Sequence, residues 1–454
     1  MKKILQLLPL ILPIYTFSNP LLPGGQTSQP FINKYSFNQE ANNLTLEEKL
    51  DFSVGNGFFK NPWIFSPATT IARDGLGPLF NTNSCEKCHI QDGRGERLVQ
   101  TGTQKVSTLI RLSIPAVTSE QITNQLKYGP IPDPIYGGQF QPLSSPNVPA
   151  EGVVNVIWHS KIEILADNTE IELQWPEISL NQLQYGELNE QIQLSPRIAP
   201  AMMGLGLLEQ IDELDILQNQ INQTHRTDEI KGKINWVWDR QKQSTSIGKF
   251  GWKASQPTLN QQNAAAFHGD LGLTSSLFDH PTCTNHQTAC LQAPNGGEFE
   301  VSNNILAFIE HYTRHLNVPK RSKLEPEGEK IFHDAKCAIC HRPSYITKTQ
   351  NKLPALSNQT IYPYTDLLLH DLGPLLATNE EFLATQSQWR TAPLWGLGKH
   401  KLVSSEIALL HDGRATSILE AILWHGGEAQ ESVKIVKQLS SEQRQSLLAF
   451  LESL

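Results

Sequence analysis

Two short segments carry the densest chemistry in the chain: Cys85-Glu86-Lys87-Cys88-His89 and Cys337-Ala338-Ile339-Cys340-His341. Each reads Cys-x-x-Cys-His, the attachment signal for c-type haem. The spacing has a chemical reason. Two cysteines three positions apart can bond both vinyl groups of one porphyrin as thioethers. The histidine directly after them then lies beneath the iron as its proximal ligand. The sequence therefore implies two covalent haems, held by Cys85, Cys88, Cys337 and Cys340, with His89 and His341 as metal ligands. Zinc knuckles also use Cys-x-x-Cys pairs, but they do not need the following histidine in both copies. A redox dithiol would sit beside a βαβ unit, and none is visible.

Further ligand and acid–base candidates lie elsewhere. Met202 and Met203, the internal methionines, fall in the unusual run 195–209. Thioether sulfur is an axial ligand in cytochromes c; methionine also fills cores. Glu209 closes that run. A buried carboxylate near a metal could serve acid–base catalysis, and a helix-surface acid is the plainer reading. His425 stands at the end of a predicted helix opened by Ser417 and Glu420 as a capping box, well placed to face a haem iron. His311 and His315 sit four apart and read as a solvated helix face. Cys283 and Cys290 flank a short polar loop; an oxidising compartment makes a disulfide the default, with a reactive dithiol as the alternative.

The rest of the chain must position these groups. Lys2, Lys3 and an apolar run over 4–17 predict a signal peptide at 1–18 and a periplasmic mature protein. No later stretch is long and apolar enough to span a bilayer. Lys and Arg number 37 against 45 Asp and Glu, a formal charge of −8. With no basic run, nucleic acid is not an expected partner. An acidic surface suits a basic electron-donor protein, or simple solubility. Thr45 and Glu48 predict a capped helix. Thr258 and Ser302 open two more. Phe80 and Phe332 each stand five residues before a motif, which predicts a helix ending at each motif with its aromatic ring on the porphyrin. Alternation over Val106, Thr108, Ile110 and Leu112 predicts a strand, and 161–173 a hairpin. The expected fold is mainly α. Two cytochrome c-like haem domains, 19–320 and 321–454, carry a small β insertion in the N-terminal half.

The motif set resembles a family, the bacterial di-haem oxidoreductases often labelled thiol oxidoreductases, relatives of di-haem cytochrome c peroxidases. The resemblance is carried by 74–80, 197–209, 364–373, 390–398 and 411–428. It implies a peroxidase-like enzyme that passes electrons from a small cytochrome or copper protein through two haems to peroxide. The alternative is a di-haem electron-transfer cytochrome without catalysis. In the peroxidase relatives a His-Asp-Gly triplet, here His411-Asp412-Gly413, precedes the helix that supplies the distal ligand of the C-terminal haem. That position looks like His425. The resemblance also implies calcium between the haems, at carbonyls of a Thr-x-Pro segment similar to Thr391 and Pro393. Those peroxidases use a distal histidine soon after the first motif, and this chain has none between His89 and His159.

Overall fold

The computed structural model describes residues 19–98, 107–404 and 406–454. The expected signal peptide and Val106 lie outside these residues. The protein is 33% helical with 18% strand, so the expectation of a mainly α chain made of two cytochrome c-like domains is corrected. Between the helices, many segments are too short or irregular for an i→i−4 ladder. Backbone groups pair instead in short antiparallel ribbons.

One construction repeats around both motifs. Helix Leu46–Lys60 crosses helix Asn303–Arg314, and helix Pro326–Asp334 crosses helix Ser441–Ser453. Each crossing is made at a glycine. A Cβ on Gly55 would lie 2.2 Å from the Phe308 carbonyl oxygen, and one on Gly328 2.1 Å from that of Ser446. Backbones this close exclude any side chain. Four residues on, one helical turn later, come Phe59 and Phe332. Their rings lie 6.1 Å from His89 and 6.3 Å from His341. Phe332 thus stands on a helix that ends just before its motif, as expected, and is packed in an apolar core cluster. Phe80 does not: it belongs to strand Leu79–Phe80, paired with Leu143–Ser144. In the first unit the segment 61–84 separates helix from motif, so the shared offset of five was coincidence.

The predicted caps are present. Thr45 and Glu48 form a capping box, and the Thr258, Ser302 and Ser417 hydroxyls accept from backbone N–H groups at their helix starts. The predicted strand is Thr108–Ser113, central between Gln139–Phe140 and Gln193–Ile198. The predicted hairpin is longer than expected, pairing Val153–Ile164 with Glu170–Asn181. It docks on the C-terminal segment: Glu163 pairs with Lys437 and Asp167 with Arg444. Leu165 and Leu173 join the apolar cluster of Phe332, Leu423 and Phe450. A second cluster likewise mixes Phe37, Met203 and Val318 with Tyr345, Leu367 and Trp395. Cys283 and Cys290 are disulfide-bonded, with Cα atoms 5.8 Å apart. Among the described residues no helix is long and apolar enough to cross a membrane.

The crossing glycine can be tested against a neighbour. Gly55→Ala should lower stability by about 1–3 kcal/mol through overpacking. On the same helix a Cβ at Gly57 meets nothing nearer than Asn61 Nδ2 at 3.9 Å. Gly57→Ala should be neutral or stabilising by about 0.5–1 kcal/mol. Equal thermal midpoints for the two variants would reject the crossing as a stability determinant.

Candidate functional site

A cavity of about 190 Å³ opens beside the second motif. The tight turn Cys337–Ile339 sets Cys337, Cys340 and His341 into its wall, and His425 lines it too. His341 Nδ1 lies 2.9 Å from the Tyr364 carbonyl oxygen, and His425 Nδ1 2.6 Å from that of Ala421. A carbonyl can only accept, so Nδ1 carries the proton and Nε2 keeps its lone pair. Metal-bound imidazoles are held in this way. Burial favours the neutral, ligating form, pushing His341 down to about 4 and lowering His425.

The other histidines here do different work. His370 has both nitrogens engaged, Nδ1 with Glu428 at 2.6 Å and Nε2 with Asp366 at 2.8 Å. Burial opposes its charge, but the carboxylate of Asp366 favours it, and its pKa is raised. The group Cys340, Asp366 and His370 is close enough to hold an ion, yet these bonds already occupy it. His411 stacks on Trp389 at 3.8 Å, with its buried Nε2 3.8 Å from Asp412 Oδ2 and without a hydrogen bond among the described residues.

A larger cavity, about 370 Å³, lies beside the first motif. Cys85, Cys88 and His89 line it. His89 Nδ1 is 2.8 Å from the Pro200 carbonyl oxygen, and burial lowers its pKa to about 4. Pro200 follows strand Gln193–Ile198, so a segment 111 positions away orients the ring. Met202 lines this cavity; Met203 is packed in the core. Glu209 does not line it. Its carboxylate accepts from Arg314 Nε and from the Leu259 backbone N–H, both at 2.9 Å. Glu209 thus ties helix Leu205–Glu209 to Leu259–Leu271 and Asn303–Arg314. His268 and His400 line the first cavity from remote parts of the chain. No motif marks either of them in the sequence.

Arg94, Trp252 and Arg390 line both cavities. The Arg94 guanidinium sits 5.7 Å from the Trp252 ring centre, and its buried Nε and Nη1 have no partner among the described residues. Arg390 donates to the carbonyls of Gly251 and Thr391. Burial lowers each arginine to about 10. Buried cations without anions are costly. The two propionates of a porphyrin supply such anions, so cysteines, oriented imidazoles and cationic wall all fit haem. The Thr391 carbonyl, the expected calcium contact, accepts from Thr365 Oγ1 at 2.6 Å and from Arg390.

His425→Ala removes one of two oriented imidazoles. Electron paramagnetic resonance of the holoprotein should then show one low-spin centre replaced by a high-spin one. An unchanged spectrum would remove His425 from the ligand set.

No curated protein matches the chain. Among solved structures, one titled "Kuenenia stuttgartiensis Hydrazine Synthase Pressurized with 20 bar Xenon" is similar over 100% of both chains, at 11% identity and a TM-score of 0.31. A family described as "Di-haem oxidoreductase, putative peroxidase" matches residues 22–156 and 173–454. Both Cys-x-x-Cys-His motifs, the arginines of the shared wall and His425 fall inside those two segments. This chain belongs to the di-haem oxidoreductase family.

Proposed function

We propose that the protein is a periplasmic peroxidase of cytochrome c peroxidase type. It takes electrons from a small cytochrome or copper protein at the second site and delivers them to peroxide at the first. One observation carries the division of labour. The second cavity, about 190 Å³, is faced by two imidazoles with Nδ1 tied to carbonyls; the first, about 370 Å³, has one such imidazole and more room. Covalently bound haem would supply one-electron iron chemistry at each site. The protein's own part is to orient His89, His341 and His425, to place Trp252 in the wall between the cavities, and to move protons.

His268 is the residue we assign to proton transfer. Its Nε2–H donates to the His280 carbonyl at 2.8 Å, which leaves Nδ1 as an acceptor. Burial lowers its pKa, so the ring is neutral and able to take a proton. Glu209 is assigned a positioning role, because both its oxygens hold helices that wall the cavity. Calcium has no part in this proposal. The Thr391 carbonyl is already engaged, and the Arg390 guanidinium beside it repels a dication.

Met202 in the first cavity favours a second reading: a carrier cytochrome with both irons six-coordinate. The spin states decide. One low-spin and one high-spin centre are expected of the enzyme, and two low-spin centres of the carrier. With reduced cytochrome c and peroxide, turnover should far exceed that of free haem. His268→Gln should lower it by roughly a hundredfold without altering the spectrum of the second site. Turnover no faster than free haem rejects the peroxidase.

A further inference from the structure

We infer that Trp175 and Trp424 form an electron relay from the outer face of the β hairpin to the second site. The inference rests on the proposal that electrons are taken up there. His159 and Trp175 are direct cross-strand partners, so the register itself stacks them. Their rings are 5.4 Å apart and inclined by 25°. Trp175 then meets Trp424 edge to face, 6.2 Å away at 75°. Trp424 is one peptide bond from His425, which lines the second cavity. The outer end of the series is open to solvent: the His159 side chain is 39% exposed and bonded to Glu177, itself 64% exposed. The inner end is buried, Trp424 at 4%.

Packing alone is the competing account, since an aromatic pair stabilises by about 0.5–1.5 kcal/mol. It does not explain the surroundings of Trp424. The indole N–H is buried with no partner among the described residues. Lys161 and Arg414 stand over the ring at 5.0 and 4.7 Å. A site shaped for stability satisfies its buried donors. These same features have an electronic effect. Two cations oppose removal of an electron from the indole, and no acceptor waits for its proton. Trp424 therefore does not trap an oxidising equivalent as a radical, and instead couples surface to cavity by tunnelling. In the step a reduced one-electron donor protein loses one electron and the ferric second site gains it. No bond forms or breaks, and no proton moves.

The two ends of the relay differ in their relation to the family. The matched segments include Trp175 and Trp424, whereas residues 157–172, with His159 and Lys161, fall between them. The donor-facing end is thus the part outside the shared pattern.

A photoactive ruthenium complex attached to His159 of the holoprotein tests the relay by flash photolysis, read as the rate of ferric-to-ferrous conversion at the second haem. Trp175→Leu should slow that rate by at least about tenfold, equivalent to about 1.4 kcal/mol in barrier. Trp175→Phe should restore most of it. Trp158→Leu, on the opposite face of the same strand, should leave it unaltered. With both haems present by absorption, an unaltered rate in Trp175→Leu overturns the relay alone. A purified holoprotein without a second haem overturns the proposed function and the relay together.

Discussion

Three carbonyl oxygens fix the directions of three imidazoles, and the two sites depend on that. An unconstrained histidine can rotate and can carry its proton on either nitrogen. Behind His89, His341 and His425 stand the carbonyls of Pro200, Tyr364 and Ala421. Each accepts the Nδ1 proton and turns Nε2 the other way. The sources differ in kind. Pro200 has no N–H of its own, so the carbonyl is the residue's one backbone hydrogen-bonding group. Ala421 lies in the last turn of helix Ile418–Leu423, where carbonyls lack intrahelical partners. His425 satisfies one of those carbonyls and gains its orientation by the same bond.

The second constraint is charge. Arg94 and Arg390 stand in a wall common to both cavities, where burial alone would make their charge unfavourable. Trp252 keeps its place between them through a 2.9 Å bond from its indole N–H to the Ile198 carbonyl. That carbonyl closes the strand that leads on to Pro200. Orientation of the first ligand and construction of the shared wall therefore come from one strand end.

What could be read from the sequence was what chemistry or capping confines to neighbouring positions. Cysteines and proximal histidines must be contiguous to grip one ring, and they do meet at cavities. Helix starts announced themselves because Thr45, Thr258, Ser302 and Ser417 must reach N–H groups within three residues. The hairpin showed in its alternation. Long-range relations were invisible. Phe59 replaces Phe80 because 61–84 intervenes before the motif. His311 and His315, read as a solvated face, touch at 4.3 Å, and His315 is 2% exposed, covered by the N-terminal segment. Glu209 was read by its type, while its partners Arg314 and Leu259 are 105 and 50 positions away. The fold class failed for a related reason. Helix starts were legible, but the brevity of what followed was set by tertiary pairing of the intervening segments.

The glycine crossings give assembly a direction in time. The first helix pair is complete once residue 314 has been made, whereas the second waits for Ser441–Ser453. Until that helix arrives, Gly328 has no backbone to meet and Phe332 has no Phe450 ring at 5.3 Å to rest on. The first crossing can therefore form early, although the cavity beside it still awaits Arg390 and His400 of its wall. The second crossing waits for residues 441–453, and a product truncated before them would lack it.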